Sequence, residues 1–76
     1  MSQKLPAVSG SDLIKALQRA GFVLRRQKGS HVHLFRNADK RRVTVPVHGT
    51  IAIAEGTLKA ILRDADLTVE DLRKLL

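Results

Sequence analysis

The sequence predicts a small α+β domain: a three-stranded antiparallel sheet with helices on one of its faces, in the order α-β-β-β-α-α. Three observations carry this. Apolar residues recur at helical spacing over 13–20 and again over 58–65. Between those stretches lie three short runs in which apolar and polar residues alternate. Short segments rich in turn residues join the runs, as antiparallel neighbours require. With 76 residues there is material for one core, so the expectation is a single domain over 1–76.

Residues 1–8 read as a loose leader, because Pro6 argues against a helix there. Ser9 and Asp12 have the spacing of a capping box, with Asp standing in for the usual Glu. Leu13, Ile14, Leu17 and Ala20 then make one helical face, while Lys15, Gln18 and Arg19 point away from it. Gly21 can end this helix in the left-handed conformation.

The first strand is expected over 22–27, with Phe22 and Leu24 on one face and Val23 and Arg25 on the other. Lys28-Gly29-Ser30 is a short turn. The second strand, 31–36, alternates Val32 and Leu34 against His31, His33 and Phe35. "NADK" (37–40) forms the next turn. In 41–47, Val43 and Val45 oppose Thr44, and Pro46 confines this strand to an edge or ends it. "HGTIAIA" (48–54) is a crossover without a firm periodicity. Leu58, Ile61, Leu62 and Ala65 form the stripe of a second helix. Thr68 and Asp71 have capping-box spacing before a short last helix, with Val69, Leu72, Leu75 and Leu76 expected inward. This arrangement leaves the second sheet face wet, and both strand histidines on it.

Charge narrows the function. Fourteen Lys and Arg stand against seven Asp and Glu, and the excess is concentrated. Residues 25–42 hold Arg25, Arg26, Lys28, Arg36, Lys40, Arg41 and Arg42 against Asp39 alone. A solvated surface does not require charges of one sign to cluster; a polyanion site does, and nucleic acid is the polyanion most available to a small protein. The chain has no cysteine, which excludes a disulfide framework and a thiolate zinc site and fits a reducing cytoplasm. No apolar stretch approaches the roughly 20 residues of a membrane span, so a soluble cytoplasmic protein without membrane contact is expected.

His31 and His33 admit three readings. As metal ligands they share a strand face, with His48 as a third candidate, but no Asp or Glu lies between 13 and 38 and seven bases surround them. As polar residues on a wet strand they need no further role. As acid/base groups they suit RNA, which carries its own nucleophile, the 2′-hydroxyl. An enzyme then needs only to move two protons and to stabilise charge on the phosphate, and histidine titrates near neutrality. Lys and Arg supply the charge, and no metal or other cofactor is called for.

Four segments in order resemble the HicA toxins, mRNA-cleaving partners of HicB antitoxins in prokaryotic toxin–antitoxin pairs. They are "LIKALQRAGF", "QKGSHVHLFR", "VTVPVHG" and "EGTLKAILRDADL", and the resemblance runs from about Ser9 to Leu67. The resemblance implies a fold similar to double-stranded-RNA-binding domains. It implies metal-independent cleavage of mRNA, silencing by a bound HicB-type antitoxin, and a catalytic histidine in Gly-Ser-His, here His31. His33 matches no catalytic position of the family and is retained as a candidate helper. His48 matches a recurrent family histidine in Val-Pro-x-His and is read as architectural or peripheral to the site. "NADK" stands where relatives often carry Pro-Asp-Gly, a departure that concerns hairpin shape.

The combined reading is an endoribonuclease whose RNA phosphates dock on Arg25, Arg26, Lys28 and Arg36, with the Gly29-Ser30 turn allowing close backbone approach and His31 moving protons. The alternative is a non-catalytic RNA-binding module on the same basic face. With Phe22 and Phe35 the only aromatics, a stacking platform for single strands is poorly provided. An acidic protein partner covering this face is compatible with the endoribonuclease reading.

Overall fold

The computed structural model describes residues 4–76; the first three residues of the expected leader lie outside the described residues. The elements are α1 (Gly10–Arg19), β1 (Val23–Lys28), β2 (His31–Arg36), β3 (Arg41–Pro46), α2 (Glu55–Asp64) and α3 (Val69–Leu75). The sheet is antiparallel in the order β1-β2-β3. The order and the sidedness agree with the α+β arrangement expected, and they are consistent with a double-stranded-RNA-binding-domain-like fold.

The helices begin where the caps lie. Ser9 Oγ accepts from Asp12 N at 3.2 Å, and Thr68 and Asp71 form a reciprocal capping box. Gly21, at φ +98°, turns the chain out of α1. Each helix presents an apolar stripe to the core: Leu13, Ala16 and Leu17 from α1, Leu58, Ile61 and Leu62 from α2, Leu72 from α3. The sheet answers with Val32, Leu34, Val43 and Val45, all buried, and the cross-strand pairs Val32↔Val45 and Leu34↔Val43 put these four on one face.

Four expectations are corrected. Leu24 does not share the buried environment of Phe22: Phe22 sits in the core just before β1, while Leu24 is 47% exposed. Its partner Leu34 is buried, so Leu24 has the inward parity but stands on an edge strand that the helices do not cover. The leader is tied down at its end, because Val8 is buried, Val8 O accepts from Ile53 N at 2.9 Å, and Ser9 bridges Ala52. Leu76 is exposed, one residue past the end of α3. Arg36, expected at the RNA, has the parity of Val32 and Leu34 and points to the helix side of the sheet.

There Arg36 makes polar contacts with both helix ends. Nη1 donates to Ala20 O at 3.1 Å and Nη2 to Ala65 O at 2.9 Å, the C-cap residues of α1 and α2. Nε and Nη2 also donate to Asp39 in the β2–β3 turn, at 3.1 and 2.7 Å. The guanidinium lies 4.5 Å from the centroid of the Phe22 ring. Carbonyls at helix C-termini lack intrahelical donors and carry the negative end of the helix dipole, so a cation is what they require. The hydrogen bond from Arg36, followed by its charge, holds the Asp39 carboxyl below the usual carboxylate range, and Asp39 in turn raises Arg36.

Gly10 opens α1 against the end of β3. A Cβ there would run into the carbonyl oxygen of Pro46 and the Cα of Val47, backbone atoms that cannot swing aside. Gly10→Ala is expected to destabilise the protein by about 1–3 kcal/mol as an overpacked site does, read from the denaturant midpoint; an unchanged midpoint would show that α1 can shift away.

Arg36→Met keeps the apolar stem and removes the fork. It is expected to cost about 2 kcal/mol, on the order of 10 °C in Tm. Arg36→Lys should recover little, since one ammonium cannot serve three acceptors in one plane. Because the Asp39 carboxyl is lowered on folding, its contribution is present above the ordinary carboxyl value of about 3.9 and fades as pH falls through the lowered one. The Tm difference between the parent and Asp39→Asn should therefore be largest near neutrality and vanish in acid. A difference that persists at pH 2 would contradict the ion pair.

Candidate nucleic-acid interface

The sheet face turned away from the helices is built in rows by the register. Lys28 pairs with His31 and His31 with Pro46; Arg26 pairs with His33 and His33 with Thr44; Val23 pairs with Phe35 and Phe35 with Arg42. His31, His33 and Phe35 thus lie in line along the central strand, two residues apart, with basic side chains beside them.

A β-bulge in β1, between Leu24 and Arg26, gives this face an extra cation. A bulge sets two residues against one on the partner strand. Here Arg25 and Arg26, neighbours in sequence, both border the outer face: Arg26 stands opposite His33, and the Arg25 guanidinium lies 5.0 Å from the Phe35 ring centroid. Simple alternation would have sent one of them to the other side.

The histidines differ in setting. His31 is exposed at the first position of β2, directly after the hairpin turn. Gly29, at φ +59°, takes the position where such turns favour glycine, and Ser30 O accepts from Val47 N at 2.7 Å, which fixes the hairpin tip to the end of β3. His33 is half-buried, and its Nδ1 is hydrogen-bonded to Thr44 Oγ1 at 3.0 Å, either group donating according to the tautomer. His48 is exposed in the segment after β3, where His48 O accepts from Ile51 N.

Of the basic residues singled out in the sequence, the register brings Arg25, Arg26 and Lys28 to this face with the two histidines, and Gly29 and Ser30 form the adjoining turn. Arg36 is absent from it for the reason given above. Arg41 also turns away: it bonds Asp39 at 3.2 Å and Asp64 O at 3.3 Å, beside the end of α2. Two residues of the face are not among the expected RNA contacts, Arg42 and Thr44. Alternation in "RRVTVP" signals both, since they oppose the buried Val43 and Val45.

Arg25, Arg26, Lys28 and Arg42 make no salt bridge among the described residues. The one acid of segment 25–42, Asp39, is engaged by Arg36 and Arg41. Among the described residues no group of three or more His, Cys, Asp or Glu side chains is placed to hold a metal ion. No helix is long and apolar enough to cross a membrane among the same residues. What the face offers chemically is fixed positive charge beside two imidazoles.

A family model described as the HicA toxin of bacterial toxin–antitoxin systems matches residues 10–67, which is most of the chain. No curated protein matches the sequence significantly.

The His33–Thr44 contact predicts a local effect that can be seen directly. Thr44→Val should shift the ring nitrogen resonances of His33 in a ¹⁵N NMR spectrum and leave those of His31 and His48 in place, with stability changed by about 1 kcal/mol at most. Unmoved His33 signals would show that the hydrogen bond is not made in solution.

Proposed function

The chain belongs to the HicA toxin family of bacterial toxin–antitoxin systems, and from that premise we propose that it is a metal-independent endoribonuclease acting on mRNA. The observation that carries the reading is the position of His31: open on a sheet face free of acids, across the strand from Lys28 and in line with His33. A HicB-type antitoxin silences it by binding directly. Action on mRNA puts the protein in the cytoplasm.

The chemistry follows from RNA. A base takes the proton of a 2′-hydroxyl, the oxygen attacks the adjacent phosphorus, and the bond from phosphorus to the 5′-oxygen breaks. An acid then gives a proton to that 5′-oxygen. The products carry a 2′,3′-cyclic phosphate and a 5′-hydroxyl, and DNA, lacking the 2′-hydroxyl, is left intact. His31 serves as general base or general acid. About 6.5 Å of strand separates His31 from His33, a span in which a phosphodiester can lie between the two imidazoles, so His33 is a candidate for the second proton, beside Lys28, which pairs directly with His31. Lys28, Arg25 and Arg26 hold phosphates and offset the charge gained in the transition state, and the Gly29-Ser30 turn lets the backbone come close.

One observation favours the alternative of a non-catalytic RNA-binding module: the cleft of this face is lined by His33 and not by His31. Cleavage decides between them. His31→Ala is expected to lower the cutting of a 5′-labelled mRNA by about 10²–10⁴-fold and to relieve growth arrest in cells, while EDTA changes neither. Product ends should be cyclic phosphates. Unchanged cutting by His31→Ala would remove the histidine from the mechanism, and an inert but folded wild type that binds RNA would leave the binding module.

A further inference from the structure

Further along the same face, away from His31, is an open cleft of about 490 Å³, within the roughly 300–1,000 Å³ usual for ligand sites. Arg25, Arg26, His33, Phe35, Arg42 and Thr44 line it. Phe35 is the feature that asks for explanation. Phe22, the other phenylalanine, is buried in the core, whereas Phe35 is half-buried on the outer face. Three cations gather around it: Arg25 at 5.0 Å from the ring centroid, Lys40 and Arg42 at 6.0 Å.

Such a cluster repels itself. Arg25 and Arg42 have no acidic partner among the described residues, so the ring's weak attraction for cations is the main local compensation. The complementary guest is flat, unsaturated and anionic at its margins. A nucleotide fits: its base can stack on the Phe35 ring or on the guanidinium plane of Arg25, and its phosphates can meet Arg26 and Arg42. Simple charge attraction to an acidic peptide would not need the ring. A duplex would not use it either, because paired bases keep their faces covered and A-form RNA is read by its shape and 2′-hydroxyls.

We infer that the Phe35 cleft is a subsite for one unpaired base of a single-stranded RNA. The inference rests on the RNA reading above and deepens it. Phe35 is four strand residues from His31, about 13 Å, so the base held there lies to one side of the scissile phosphate and selects the neighbourhood of the cut rather than the cut itself. Phe35 is accordingly a binding residue.

The test uses the full chain carrying His31→Ala, so that the probe survives. Fluorescence anisotropy would follow a labelled single-stranded RNA ten-mer, the same strand in a duplex, and the same strand with abasic sugars. Phe35→Leu, which keeps apolar volume, is expected to weaken single-strand binding by about fivefold to 150-fold, the range for loss of one stacked base. It should leave the salt slope unchanged, whereas Arg42→Gln should flatten that slope by about 0.7. Phe35→Trp should retain or tighten binding, which keeps the test decisive should Phe35→Leu prove unfolded. Abasic RNA should bind more weakly and respond to neither Phe35 variant.

Three results would overturn the inference: Phe35→Leu binding as its parent does, a duplex binding as tightly as the single strand, or polyglutamate competing as well as RNA of equal charge. Cleavage by the unsubstituted chain is scored separately. An inert wild type that keeps Phe35-dependent binding would sink the nuclease reading alone. An active wild type whose binding ignores Phe35 would sink the subsite alone.

Discussion

The guanidinium of Arg36 holds the three layers of connection together. It stands on the last residue of the central strand, and from there it reaches the C-caps of α1 and α2 and the turn that leads into β3. Its surroundings are arranged for it. Phe22 supplies a ring face for the guanidinium, and Asp39 receives two of its N–H groups. Gly21 leaves room for the stem: a Cβ there would press on Arg36 Cδ at 3.3 Å, besides being strained at that backbone angle. A small core offers few independent ways to fix two helices over a sheet, and here one planar cation with several N–H groups ties both helix ends to one strand end.

That constraint also sorts the charge. The basic block of the sequence divides between the two sides of the sheet once the strands form. Arg36 and Arg41 turn to the helix ends and find carbonyls and Asp39, while Arg25, Arg26, Lys28 and Arg42 remain outside with the histidines and Phe35. The same composition thus supplies a structural clasp on one side and an unpartnered cationic face on the other. What separates them is strand parity: Arg36 follows Leu34 by two, and Arg42 precedes Thr44 by two.

Much of this was legible in the sequence because it is periodic. The α2 stripe at 58, 61, 62 and 65, the alternation of β2, the caps at Ser9 and Thr68 and the two turns are local patterns that local physics enforces. The parts that were not legible depend on distant neighbours. Leu24 has an inward parity, but whether a helix covers it is set by where α1 and α2 lie. Val8 looks like leader until Ile53 is brought beside it, and the close approach of Pro46 to Gly10 has no local signal. The bulge at Arg25 defeats alternation altogether, since a residue is inserted exactly where alternation would be counted. Arg36 was read by composition, as one base among seven, when its parity with Val32 and Leu34 already pointed inward.

The outer face is where local consistency gives way, and the departures converge. A bulge doubles the arginines beside His33, an aromatic ring sits on the wet side of a sheet, and among the described residues no acid pairs with Arg25, Arg26 or Arg42. Each departure costs stability: broken ladder hydrogen bonds, exposed apolar area, like-charge repulsion. A sequence selected for folding alone would place a carboxylate among Arg25, Arg26 and Arg42, where it would relieve repulsion. It would also compete with phosphate for the same guanidinium groups. Keeping the acid out leaves the folded chain under an electrostatic strain that an anionic partner docked here would relieve, stabilising the fold as it binds. The clasp on the opposite side of the sheet makes that face tolerable when nothing is bound, because it anchors both helices through groups the outer cations do not touch.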